Sequence, residues 1–117
     1  TFRLMDEHLR PVERIRSKKD FGEIYKKGRR LKGKYFLLVF QPNGLNYSRL
    51  GVVVSRKVGQ ATIRNRIKRR FRELFRRNKS LLPGHFDLVF IARPEIVQLD
   101  WEKMKAEYLT MVSQLNS

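Results

Sequence analysis

The chain has 117 residues and a formal net charge of +16, from 27 Lys and Arg against 11 Asp and Glu. At 41% hydrophobic it has apolar content for one modest core, so its charge does not by itself mean disorder. Cysteine is absent, which excludes a disulfide framework, a thiolate zinc site and a Cys nucleophile. The cationic excess favours a polyanionic partner, nucleic acid first and an anionic membrane surface second.

Residues 1–16 are mixed in charge, are interrupted by Pro11, and lack the apolar stretch of a signal peptide. They read as a loose N-terminal arm, and the cytoplasm is the expected compartment. Ser17-Lys18-Lys19-Asp20 has the spacing of a capping box. Phe21, Ile24 and Tyr25 follow at helical spacing and Gly28 supplies a stop, which predicts a short amphipathic helix. Residues 35–40 are aromatic and aliphatic and read as a strand, ended by the Pro42-Asn43-Gly44 turn. Residues 50–54 are continuously apolar, as in a strand buried on both faces. Gly59 opens a helix over 61–77, and Pro83-Gly84 leads into a third strand at 86–92. Asp100 caps a last helix in which Trp101, Met104, Tyr108, Met111, Val112 and Leu115 recur at helical spacing. The apolar runs are far too short to span a membrane. The predicted whole is an arm (1–16) and a single α+β domain (17–117), with helices packed on a sheet.

The charge is concentrated. Residues 56–79 hold 11 Lys and Arg and one acid, Glu73, leaving a net +6 for the rest of the chain. At about 100° per residue, Ile63, Ile67, Phe71, Leu74 and Phe75 fall on one stripe, suited to packing against the sheet. Arg64, Asn65, Lys68, Arg69, Arg72 and Arg76 gather on the largely opposite side, with Arg66, Arg70 and Arg77 along a flank. A merely solvated face would mix signs at i,i+4 spacing, whereas here like charges repel unless an external anion neutralises them. The Arg fork suits bidentate phosphate contacts, and the Asn65 amide suits a base edge or a 2′-hydroxyl.

Arg64-Asn65-Arg66-Ile67-Lys68-Arg69, preceded by Val54-Ser55-Arg56-Lys57-Val58-Gly59, resembles the signature of the bacterial ribonuclease P protein subunit. Asp20-Phe21 with Tyr25, Phe36-Leu37-Leu38, Arg49-Leu50-Gly51 and Ile91-Ala92-Arg93-Pro94 extend the resemblance over residues 13–115. It implies an α/β sandwich like the second domain of ribosomal protein S5. The mixed sheet would have about four strands, and the motif helix would lie in a left-handed βαβ crossover. It also implies a non-catalytic subunit that joins a catalytic RNA to remove the 5′ leader of precursor tRNA. In that assembly Mg²⁺ is held mainly by the RNA, which does the chemistry. The resemblance assigns RNA binding to Arg64, Asn65, Arg66, Lys68, Arg69 and Arg72. It assigns a leader-binding cleft to Phe21, Tyr25, Phe36, Arg56, Lys57 and Ala92. Val39 departs from the pattern, standing where relatives can place an aromatic on the cleft strand.

The residues show no protein active site of their own. His8 and His85 are isolated, the acids are dispersed, and Ser55 has no base visible in the sequence. Two other functions fit the basic helix: a ribosomal-type structural RNA-binding protein, and a DNA-binding module reading a major groove.

Overall fold

The structure, a computed structural model, describes residues 11–116. Helix α1 (Lys18–Lys27) starts where the sequence predicts, because Ser17 Oγ accepts the backbone N–H of Lys19 at 3.1 Å and of Asp20 at 3.3 Å. The Asp20 carboxylate turns to Arg49, 3.4 Å away, and so ties the helix to the sheet. Strands β1 (Arg29–Lys32), β2 (Phe36–Pro42) and β3 (Arg49–Val53) follow, then helix α2 (Ala61–Arg77), strand β4 (Phe86–Ala92) and helix α3 (Trp101–Ser113). Asp100 caps α3 by accepting the N–H of Lys103 at 2.8 Å.

The four strands form one mixed sheet in the order β1-β2-β4-β3. β2 pairs antiparallel with β1 and β4, while β3 and β4 run parallel, joined through α2. β4 is central and buried, as its apolar run predicts. β3, expected to be buried on both faces, is an edge strand, with Leu50 and Gly51 buried and Val53 39% exposed. β1 was not separable in the sequence. Arg29-Arg30-Leu31-Lys32 carries little apolar signal because it is the other edge, where charge is tolerated.

One face of the sheet carries the main core. Phe36, Leu38, Phe90 and their neighbours pack against Ile67, Phe71, Leu74 and Phe75 of α2 and against Met104, Tyr108 and Val112 of α3. Phe71 sits 5.2 Å from Phe36 and 4.8 Å from Phe90, and Phe90 is 5.2 Å from Tyr108, so a continuous ring cluster joins sheet and helices. Burial pushes the Tyr108 phenol well above its ordinary pKa. The opposite face carries a smaller core of Ile15, Ile24, Val39 and Val89.

Ile15 corrects the expectation of a loose arm. Its N–H donates to Leu50 O at 2.8 Å, Arg14 pairs in parallel with Leu50, and Ile15 is buried. Glu13 is also buried, with Oε2 2.6 Å from Lys79 Nζ. Residues 11–16 therefore belong to the folded unit: a single apolar side chain meets the open edge of β3, too brief a pattern to register in the sequence. Residues 1–10 of the expected arm lie outside the described residues.

Gly51 allows α1 to approach the sheet, since a Cβ there would stand 2.8 Å from two atoms of the Phe21 ring. Gly51→Ala is expected to destabilise the fold by about 1–3 kcal/mol through overpacking, and Phe21→Leu to recover part of that loss. A denaturant-unfolding double-mutant cycle measures it, and strictly additive effects would dismiss the contact. Phe36→Ala, which truncates a ring in the main core, is expected to cost about 3–5 kcal/mol by the same measurement.

Candidate nucleic-acid interface

Helix α2 is held by its apolar stripe, with Ile67, Phe71, Leu74 and Phe75 buried and Ile63 packed at the margin. The stripe fixes which way the remaining side chains point. Asn65, Arg66 and Arg69 are exposed, and Arg64, Lys68 and Arg72 are partly so. None of the five cations in this set forms an ion pair among the described residues. Glu73, the only acid of the helix, lies 2.5 Å from Arg76 Nη2 and 2.6 Å from Arg77 Nε. The Arg76 hydrogen bond, then the charges of Arg76 and Arg77, hold its carboxyl below the usual range despite some burial. One carboxylate thus offsets part of the charge of the last turn, and the preceding turns stay cationic. Arg76, grouped with the free cations in the sequence, is thus partnered.

Two further cations join this surface, and the sequence reading missed them. Burial, followed by the charges of Arg14 and Arg16, lowers the pKa of Arg72. A cavity of about 210 Å³ is lined by Arg14, Arg16, Phe21, Lys68 and Arg72, with β3 behind it. Arg14 Nε and Arg64 Nε are buried without a hydrogen-bond partner among the described residues, an arrangement that an external anion would relieve. The available signal was the Arg14-Ile15-Arg16 alternation, which is the period of a strand.

The other face of the sheet holds a groove. α1 starts over Gly51 of β3 and ends with Gly28 against Val39 and Phe40 of β2, so it runs across the strands. It covers the transverse row of Val39 and Val89, and leaves the next row, Leu37, Ile91 and Val53, partly open. Asp20 turns to Arg49 on one flank, so helical spacing turns Tyr25 to the other flank, while the Phe21 ring packs over Gly51. Tyr25 is 48% exposed. Arg30 Cζ lies 4.3 Å from its ring centroid while Arg30 Nη2 donates to Tyr25 O at 2.7 Å. Arg56 and Lys57 are exposed in the turn after β3, at one end of this row.

Two of the expected cleft residues lie elsewhere. Phe36 and Ala92 are register partners on the main-core face, 1% and 8% exposed. The reason is strand parity: Phe36 and Val39 are three residues apart, so they point to opposite faces. Val39 is the residue on the groove side, and it is buried beneath α1. Leu37, Val53 and Ile91 take the place of Phe36 and Ala92 in the groove floor.

Four acidic side chains are engaged by cations: Asp87 and Asp20 by Arg49, Glu73 by Arg76 and Arg77, and Glu13 by Lys79. Among the described residues no three His, Cys, Asp or Glu gather as a group that could hold a metal ion. His85 is exposed beside Gly84, and His8 lies outside the described residues. No helix of the described residues is long and apolar enough to cross a membrane.

Comparison with known proteins is decisive at the level of family. The ribonuclease P family model matches residues 9–116. The ribonuclease P protein component of Thermotoga maritima is 43% identical over 115 residues, spanning 95% of this chain and 98% of that protein. The solved structure of the RNase P protein from T. maritima superposes with a TM-score of 0.79 over 87% of this chain and 96% of that one. That from Staphylococcus aureus, 33% identical, gives 0.80 over 85% and 91%. A four-stranded mixed sheet, a motif helix whose row of cations has no ion pair among the described residues, and relatives of matching length all agree: the chain belongs to the ribonuclease P protein family.

Proposed function

We propose that this protein binds the catalytic RNA of ribonuclease P through α2 and holds the 5′ leader of precursor tRNA in the groove between α1 and the sheet. The observation that carries the reading is the unpaired row Arg64, Arg66, Lys68, Arg69 and Arg72, held outward by a buried apolar stripe. A structured RNA backbone supplies the missing counter-ions, with guanidinium groups forking onto phosphate oxygens and Asn65 reading a base edge or a 2′-hydroxyl. Arg14 and Arg16 extend this contact around Arg72.

The groove takes an unstacked strand. Tyr25 and Phe21 offer ring faces, Leu37, Ile91 and Val53 an apolar floor, and Arg56, Lys57 and Arg30 charge for the phosphates. Its two walls do the positioning: the strand is kept extended, and the leader is aligned relative to the RNA docked on α2. Mg²⁺ belongs to the RNA in this reading and supplies phosphodiester hydrolysis there. The protein contributes binding and alignment, in the cytoplasm where tRNA is matured.

Protein alone is expected to leave precursor tRNA intact, and protein with its cognate RNA and Mg²⁺ to remove the leader. Full cleavage by RNA-free protein would refute the proposal. With about six phosphate contacts, affinity for the catalytic RNA is expected to fall on the order of 10³-fold between about 50 and 200 mM salt. Arg64→Ala or Arg69→Ala is expected to flatten the salt slope by roughly one unit. An unchanged slope removes that residue from the interface. Tyr25→Ala is expected to weaken binding of leader-bearing substrate by about 1–3 kcal/mol, with affinity for leaderless tRNA unaffected. A ribosomal-type protein would be indifferent to the leader.

A further inference from the structure

Residues 26–34 hold six Lys and Arg and no acid, a charge equal to the whole net excess outside residues 56–79. These cations sit at the opposite edge of the sheet from β3: in the last turn of α1, on β1, and in the turn between β1 and β2. None of them forms an ion pair among the described residues. The contact that takes the catalytic RNA leaves this second cationic surface unused.

Strand register connects it to the groove. Lys32 pairs with Leu37, Leu37 with Ile91, and Ile91 with Val53, so these four side chains form one transverse row on the α1 face. Arg30 pairs with Val39, on the same face, and stacks on Tyr25. Lys34 lies in the turn that follows the row, with Nζ 5.5 Å from the Tyr35 ring centroid. The groove therefore has a direction. One end opens at Arg56 and Lys57, beside the first turn of α2, and the other opens onto Arg30, Lys32 and Lys34. Crossing from β3 to β1 spans three strand spacings, about 14 Å. An extended strand covers that distance in about two or three nucleotides, and its following phosphates emerge over the cationic edge.

We propose that the β1 edge, around Arg30, Lys32 and Lys34, is a second single-stranded RNA contact. It takes the phosphates of leader nucleotides that lie beyond the groove, on the side away from the cleavage point. The inference rests on the leader reading of the groove. It adds that leader affinity has two increments, an apolar and stacking one for the first nucleotides and a purely electrostatic one for the later ones. The second is indifferent to base identity, because Lys32 and Lys34 offer point charges rather than base-reading geometry.

The test uses holoenzyme assembled from this protein and its cognate catalytic RNA, with precursor tRNAs bearing leaders of about three and about ten nucleotides. In the Lys32→Gln, Lys34→Gln double variant, affinity for the long-leader substrate is expected to drop by about tenfold, with a lower salt slope. Affinity for the short-leader substrate and the melting temperature of the protein are expected to stay within about twofold and about 2 °C. Lys32→Glu with Lys34→Glu is expected to deepen the loss for the long leader alone. An equal loss at both lengths would assign the edge to the catalytic RNA or the tRNA body, and no loss would remove it from RNA contact; either overturns the proposal. Tyr25→Ala separates this from failure of the underlying reading. If it weakens both substrates while the edge variants are silent, only the edge contact falls; if leader length has no effect even on the unaltered protein, both fall.

Discussion

The packing of Phe71 between Phe36 and Phe90 governs the rest of the molecule. Five cations without counter-ions among the described residues crowd one helix, and they would repel one another and fray it in isolation. What holds α2 is the apolar stripe locked into the ring cluster, which stabilises the helix and fixes its rotation about its axis. That rotation decides which side chains meet solvent, since turning the helix by a third of a revolution would bring arginines against the sheet. A hydrophobic contact on one face thus aims an electrostatic surface on the other.

Much of this was readable in the sequence because helices announce themselves through periodicity. The cap at Asp100 forms as read, the stripe of α2 is the one its spacing predicts, and the buried β4 matches its apolar run; of the capping box only the Ser17 half forms, because Asp20 turns to Arg49. Edge strands were less legible. β1 has almost no apolar residues, and β3 is apolar although it lies at an edge, where residues 11–16 and α1 cover part of it. Composition reports how apolar a segment is, while its neighbours decide whether it is central.

The candidate site divides along the same line. On α2 the angular position of each residue follows from its number, so the exposed set was readable. In the groove, the facing of each side chain depends on strand register, which the sequence did not reveal. Phe36 and Ala92 were placed by their neighbours in a motif, whereas pairing puts both in the main core. Arg14 and Arg16 reach Arg72 only through a contact between segments more than fifty residues apart, and Glu73 neutralises Arg76 through rotamers that no spacing rule specifies.

The parallel pairing of Arg14 with Leu50 has a consequence for solubility. A sheet ordinarily leaves two rows of unsatisfied backbone groups along its margins, each a template for adding another chain. Here the chain's own residues 14 and 15 occupy part of one margin, and Arg29, Arg30 and Lys32 crowd the other with like charge. A second molecule approaching either border meets a strand already in place or a repulsive field. Both borders of the sheet thereby disfavour edge-to-edge addition of a second chain.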